Sequence, residues 1–424
     1  MTRKSSRIPE FYKLNVKKRL QKVSEFSNLT EDDAKLLLST GGLPIEIADR
    51  MIENVIGTFE LPLGVATNFL IDGKDYLIPM AIEEPSVVAA ASNAAKMARE
   101  GGGFKTNYSG SIMIGQVQVT KLRDPFSAKF EVEAEKNKII QTANECDPVL
   151  VKLGGGCKDV EVRVIDTILG KMLIVHLLVD VKDAMGANAV NTMCEAVAPL
   201  IEKITGGKVY LRIISNLAKY RLARAKAKFK KNVIGGEEVV EGIMQAYAFA
   251  SSDPYRCATH NKGIMNGISA LMLATGNDFR AVEAGAHSYA ALTGYKPLTR
   301  YEVDHNGNLI GTIELPLAAG TIGGATRVNP LAKVCLKILG INTAEELARI
   351  AAAVGLAQNF AALRALATEG IQRGHMELHA RNIAIMAGAV EEEIDKLTEI
   401  MVSEGKIRMD YAKELLERIR RNLI

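Results

Sequence analysis

Two strands are written into Val160-Glu161-Val162-Arg163-Val164-Ile165-Asp166-Thr167-Ile168-Leu169-Gly170-Lys171-Met172-Leu173-Ile174-Val175-His176-Leu177-Leu178-Val179-Asp180-Val181. Val160 to Ile168 and Met172 to Val181 have strand character, and a short Gly-containing turn joins them. Working outward, Ser111 to Thr120 alternates like a strand and Ser127 to Ala143 has helical spacing. Ala187 to Ile204 reads as a helix and Val209 to Ser215 as a last strand. The resulting order, β-α-β-β-α-β, is that of the ferredoxin-like split βαβ unit, so residues 110–216 are expected to form a small inserted domain.

The remainder gives an α/β (α+β) chain whose large, helix-rich domain is discontinuous, over 1–109 and 217–373. Residues 1–55 read as short helices, with Thr30-Glu31-Asp32-Asp33 a start and Gly41-Gly42-Leu43-Pro44 a stop before a helix through Met51. Strands end at Tyr76 to Met80, and a helix is expected from Pro85, at its first position, to about Arg99. Leu217 to Lys231, with seven Lys and Arg, is expected as a basic helix, either a solvated face or a phosphate-binding one. Asn306-Gly307 turns a hairpin over Tyr301 to Ile310, and residues 374–424 read as a helical tail.

At 424 residues the chain can bury a large core in two or three domains. Its net charge of +4 gives no general case for nucleic acid or membrane. The five cysteines lack paired short spacing, so neither a zinc motif nor a disulfide framework is expected, and a reducing cytoplasm follows. The polar start suggests no signal peptide, and no apolar run long enough to span a membrane is read, so a soluble protein is expected.

Asp253 to Gly267, followed by Gly276-Asn277-Asp278, sets an Arg, a Lys, two Asn and a Thr among small and apolar residues. Polar groups removed from water need partners, so the stretch is either a hydrogen-bonded interior turn or a ligand site. Lys262 there would be a buried ammonium needing an anion, with Asp278 a candidate. Glu84 sits just before a helix, whose positive end favours its ionised form. If Glu84, Lys262 and Asp278 meet, they could polarise a carbonyl, stabilise an oxyanion and supply a proton. His375 follows a Gly-bounded loop and is either structural or catalytic. His379, four residues on, lacks the Glu of a zinc-binding pair, so no metal is expected. No Gly-x-Gly-x-x-Gly follows a first strand. Asp183-Ala184-Met185-Gly186-Ala187-Asn188 instead ends a strand and opens a helix, either an ordinary capped turn or a phosphate and ribose site.

Taken together, the chain resembles 3-hydroxy-3-methylglutaryl-coenzyme A reductases of the shorter, soluble bacterial and archaeal class (class II). Carrying the resemblance are Glu53-Asn54-Val55-Ile56-Gly57, Glu84-Pro85-Ser86-Val87-Val88-Ala89, Asp183 to Asn188, His260-Asn261-Lys262-Gly263, Gly276-Asn277-Asp278 and Gly374-His375-Met376. It implies a two-step, four-electron reduction of the thioester, through a hemithioacetal and an aldehyde, to mevalonate and coenzyme A, or the reverse. In that scheme Lys262 stabilises the oxyanion, Glu84 supplies a proton, Asp278 tunes Lys262, and His375 protonates the departing thiolate. Ser86, Arg256, Thr259 and Asn266 would hold the substrate. Asp183, Ala184, Met185, Gly186 and Asn188 would hold the nicotinamide cofactor. Asp147 would accept from the adenosine ribose, favouring NADH over NADPH, with NADPH possible. The family pattern also implies a dimer with the site at its interface, a hexamer of three dimers, and a mobile C-terminal flap over 374–424. No counterpart is expected of the long form's membrane anchor or of its phosphorylatable Ser, near Asn382. The competing readings are a non-redox acyl-coenzyme A transferase or lyase and a nucleotide- or RNA-binding protein.

Overall fold

The computed structural model describes residues 4–368, 371–390 and 392–421, and the side chains of 371–378 lie outside the described residues. The chain starts with α1 (Val16–Ser27), α2 (Glu31–Leu38) and the one-turn α3 (Ile45–Ala48), shorter than the helix expected through Met51. Thr30 and Asp33 form a reciprocal capping box on α2. The hairpin of β1 (Leu63–Ile71) and β2 (Lys74–Ala81) follows, then α4 (Val87–Glu100) and β3 (Phe104–Tyr108). Pro85 lies outside α4. The helix starts two residues later because Ser86, its N-cap, takes a left-handed conformation at φ 72° and reverses the chain.

From Ile112 the chain builds a separate layer: β4 (Ile112–Thr120), α5 (Pro125–Ala134), α6 (Lys136–Glu145), α7 (Pro148–Lys152), β5 (Gly156–Thr167), β6 (Gly170–Asp180), α8 (Ala187–Thr205) and β7 (Lys208–Ser215). The sheet order is β5-β6-β4-β7, every pair antiparallel, which is the ferredoxin-like arrangement. The single helix expected over Ser127 to Ala143 is two, because Glu135 closes α5 and opens α6 with ψ near 12°. Helices and sheet enclose their own core, including Val117, Leu173, Val175, Val190 and Val197.

The chain returns as β8 (Leu222–Phe229), not as the expected basic helix. Ala223, Ala225 and Ala227 are buried, while Arg224, Lys226 and Lys228 between them are not, a period of two that only a strand can satisfy with one face inward. After α9 (Lys231–Ile234) come α10 (Glu237–Ser252), α11 (Pro254–Ala274) and α12 (Phe279–Ala291). The hairpin of β9 (Thr299–Val303) and β10 (Leu309–Pro316) turns through Asn306-Gly307 and completes a six-stranded sheet ordered β2-β1-β3-β8-β10-β9. Then follow α13 (Gly324–Val328), α14 (Pro330–Leu339) and α15 (Ala344–Ala367).

Helix α15 has the length and apolarity of a membrane span, yet 67% of its apolar window is buried inside the protein. It is the central helix of the larger core, packed on α11, α4 and the sheet. The last helices, α16 (Ile371–Met386), α17 (Glu392–Ser403) and α18 (Met409–Arg420), pack on one another around Ala384, Leu397, Met401 and Leu415.

The smaller layer is fitted tightly at one point. Gly115, in the middle of β4, faces α8 so closely that a Cβ would lie 2.3 Å from Cys194 Sγ and 2.8 Å from Val190. Gly115→Ala is expected to cost about 1–3 kcal/mol in urea unfolding. Combining it with Cys194→Ala should restore most of that loss; a neutral single variant would contradict this packing.

Candidate functional site

Helix α11 carries the polar residues singled out in the sequence, so the alternative reading of the stretch as an interior turn does not hold. Asp253 caps it by accepting from Arg256 N at 2.7 Å, with Pro254 at its first position. Helical spacing then sorts its polar side chains onto two faces. On the inner face, His260 and Asn261 are buried. His260 Nε2 lies 2.7 Å from Thr299 Oγ1, and Thr299 and Tyr301 both donate to Asn359 Oδ1 at 2.9 Å. Asn261 Oδ1 accepts from Leu298 N at 3.0 Å, and its amide donates to the Lys296 carbonyl. This face joins the helix to the edge of the sheet without a charge.

Arg256, Thr259, Lys262, Gly263 and Asn266 follow one another at spacings of a helical turn or less and form the outer face. Opposite them, the turn before α4 presents Glu84. Lys262 Nζ donates to Glu84 Oε2 at 2.8 Å and Asn266 Nδ2 to Oε1 at 3.3 Å, so both carboxylate oxygens are held from α11. The Lys262 side chain is 58% exposed and that of Glu84 35%, so the ammonium is not buried within this chain, contrary to the sequence expectation. Ser86 stands two residues beyond Glu84, partly buried, and its hydroxyl does not cap α4. Arg256 has no ion pair among the described residues, and Thr259 is exposed beside it.

Asp278 does not meet Lys262 in the chain. It caps α12, with Oδ1 accepting from Arg280 N and Ala281 N at 3.1 Å and pairing with the Arg280 guanidinium at 3.1 Å. Gly276-Asn277-Asp278 is also a helix start, so within one chain backbone N–H groups hold one oxygen of the carboxylate. Another acid, Glu283 on α12, lies near enough for the Lys262 charge to act on it. It accepts from Ser269 Oγ at 2.6 Å and pairs with His287 at 3.2 Å, and His287 in turn meets the Tyr295 hydroxyl at 2.9 Å. Burial pushes the Glu283 carboxyl up, but the hydrogen bonds from His287 and Ser269 and the charges of His287 and Lys262 hold it below the usual range. The sequence reading missed this residue. Its one signal was that Glu283 and His287 lie four apart on a helix following Asp278.

His375 lies on α16, and its side chain is outside the described residues.

The loop from Asp183 to Gly186 joins β6 to α8. Gly186 is the N-cap at φ 103°, and no side chain caps the first N–H groups of α8, so they are available to a phosphate. Ala184 and Met185 are partly buried and Asn188 is exposed on the first turn. Asp183 is less free than expected, because its Oδ1 accepts from Ala344 N, the first residue of α15, at 2.8 Å. Asp147 caps α7 by accepting from Leu150 N at 2.9 Å.

A family model described as hydroxymethylglutaryl-coenzyme A reductase matches residues 15–380. A relative from Archaeoglobus fulgidus, 3-hydroxy-3-methylglutaryl-coenzyme A reductase, is 79% identical over 416 residues, covering 98% of this chain and 95% of that one. A probable enzyme of that name from Borreliella burgdorferi is 36% identical, covering 88% of this chain and 87% of its own. A solved structure of the Streptococcus pneumoniae reductase superposes with a TM-score of 0.82 at 39% identity, covering 97% of this chain and 99% of that one. Another, described as class II and bound to NADPH in open conformations, gives 0.81 at 39% identity over 96% of this chain and 100% of that one.

Burial, helped by the Arg256 charge, pushes His260 down from 6.5 to about 3. The unfolded chain therefore takes up a proton below pH 6.5 that the folded chain refuses. This contribution to stability is complete above that pH and is lost as pH falls toward the folded value. In urea unfolding, His260→Gln should flatten the loss of stability between roughly pH 6.5 and 4, by up to about 1.4 kcal/mol per pH unit. Identical slopes would mean that His260 takes up a proton in the folded state.

Proposed function

The chain belongs to the hydroxymethylglutaryl-coenzyme A reductase family, class II, and from that premise we propose how its residues divide the work. The family makes it an oxidoreductase acting on 3-hydroxy-3-methylglutaryl-coenzyme A with a nicotinamide cofactor. The observation that carries the proposal is the ion pair of Lys262 with Glu84, open to solvent on the same helix face as Arg256, Thr259 and Asn266.

The Lys262 ammonium holds the thioester oxygen as it becomes an anion, and Glu84 delivers the proton that quenches it. Glu84 brings this proton itself, taken up as bound substrate shields the carboxylate from water, so that Lys262 keeps the charge that holds the oxyanion. Ser86, Asn266 and Thr259 orient the acyl group, and the Arg256 guanidinium takes its free carboxylate in a forked pair. His375 protonates the departing thiolate of coenzyme A, which would otherwise add back to the aldehyde. Asp278 reaches Lys262 in the assembled, substrate-loaded enzyme; its Oδ2 has no hydrogen bond among the described residues, which leaves it available.

Residues 1–109 and 217–373 serve as the substrate domain, 110–216 as the cofactor domain and 374–424 as a closing flap. A cavity of about 760 Å³ lies between α1 and α4, with Arg7, Arg19, Asn93 and Lys96 among its lining, and suits the long, anionic coenzyme A arm. The cofactor is assigned to Asp183, Ala184, Met185, Gly186 and Asn188, a choice supported by the uncapped start of α8. When bound there, the nicotinamide supplies a hydride to the carbonyl carbon in each of two rounds. NADH is preferred, since the Asp147 carboxylate would repel a 2′-phosphate.

The working form is a dimer, assembling further as three dimers. The exposure of Ile52, Ile56 and Phe59 around Glu53-Asn54-Val55-Ile56-Gly57, and of Lys262 itself, supports closure of the site by a second chain. The five cysteines are free, which supports a cytoplasmic enzyme.

Absorbance of NADH and NADPH during thioester reduction tests the proposal. Lys262→Ala should leave a folded protein with activity reduced by about a thousandfold or more. His375→Ala should lose more on the thioester than on free mevaldehyde. Appreciable turnover by the first variant, or equal losses by the second, would remove that residue from its role.

A further inference from the structure

Arg221 is the largest fully buried side chain among the described residues, and no carboxylate pairs with it there. Its guanidinium donates to four neutral oxygens instead. Nε reaches the Tyr108 hydroxyl at 2.9 Å, Nη1 the carbonyls of Ala184 and Met185 at 3.1 Å each, and Nη2 the Ala319 carbonyl at 2.5 Å. Removing a cation from water onto neutral acceptors alone is costly, and a packed apolar residue would stabilise the fold at least as well. What the guanidinium offers is a rigid planar fork that fixes several groups at once.

The groups it fixes come from three places. Tyr108 ends β3, where the chain leaves the six-stranded sheet, and Arg221 itself precedes β8, where the chain returns. Ala184 and Met185 belong to the loop before α8. Ala319 precedes Gly320, whose N–H donates to Asn277 Oδ1 at 2.7 Å, beside Asp278. The same loop is held again by Thr321 N donating to the Asp183 carbonyl at 2.9 Å and by a bridge between Ala184 and Ile322. One buried side chain thus links the loop between β6 and α8 to the turn that carries Asn277 and Asp278.

We propose that Arg221 is a positioning residue for the nicotinamide nucleotide: it clamps the 183–186 loop against the larger core, so that the cofactor docks at a fixed place relative to α11. This rests on the assignment of that loop to the cofactor. Loss of the fork frees the loop carbonyls and weakens nucleotide binding, while α11 and the acyl site keep their shape.

Dissociation constants for NADH and NADPH, by nucleotide fluorescence, and for the thioester, by calorimetry, test the clamp without relying on turnover. Arg221→Lys keeps the charge but not the fork. It should weaken both nucleotides by about tenfold and change thioester binding by less than about twofold. Gly186→Ala, whose Cβ would lie 2.5 Å from Val181, damages the loop directly and should weaken the nucleotides as well. If Gly186→Ala weakens them and Arg221→Lys does not, the clamp is overturned and the loop assignment stands. If Gly186→Ala leaves nucleotide binding intact, the loop assignment fails and the proposal with it. Equal losses for nucleotide and thioester in Arg221→Lys would also overturn it, as general damage to the fold. Should Arg221→Lys not fold, Tyr108→Phe decides: nucleotide binding weakened by about two- to threefold, with thioester affinity kept, supports the clamp, and unchanged binding overturns it.

Discussion

The pairing of Lys262 with Glu84 is the interaction on which the proposed chemistry depends. It joins the outer face of α11 to the turn before α4, two elements packed on the same central helix, α15. Its purpose is not stability, since exposed ion pairs contribute about 0–1 kcal/mol. A left-handed Ser86 costs on the order of 1–3 kcal/mol more in the same turn. The fold thus accepts strain to set a carboxylate against an ammonium where a substrate can reach both.

That placement is possible because α11 separates two kinds of polarity. Its inner face is neutral, with His260 kept uncharged among Asn261, Thr299 and Asn359. Its outer face holds the charges, open to water. Had both sets shared one face, the ion pair would compete with the network that anchors the helix. The neighbouring α12 adds Glu283, held by Ser269 and His287, a carboxylate on which the Lys262 charge also acts.

The inserted four-stranded layer was legible from periodicity alone, because its strands and helices bury one face each and their spacing states it. The meeting of Lys262 with Glu84 was legible through motif order rather than through spacing. Three features were not. The segment after Leu217 read as a basic helix because seven cations outweighed the Ala-Arg-Ala-Lys-Ala alternation, which is the real signal of β8. The donors that hold Asp278 within the chain were hidden because sequence shows that an acid is near a helix start, not which N–H groups it accepts from. Arg221 went unnoticed because its partners, Tyr108, Ala184, Met185 and Ala319, are scattered along the chain and meet only through the fold.

A double-mutant cycle on Glu84→Gln and Lys262→Met, read in kcat/KM for the thioester, tests the central pairing most directly. If the two side chains act as one unit, each single variant should lose nearly as much as the double, leaving a coupling of several kcal/mol, roughly 2 or more. Losses that simply add would mean that the two groups act independently, and would contradict the account.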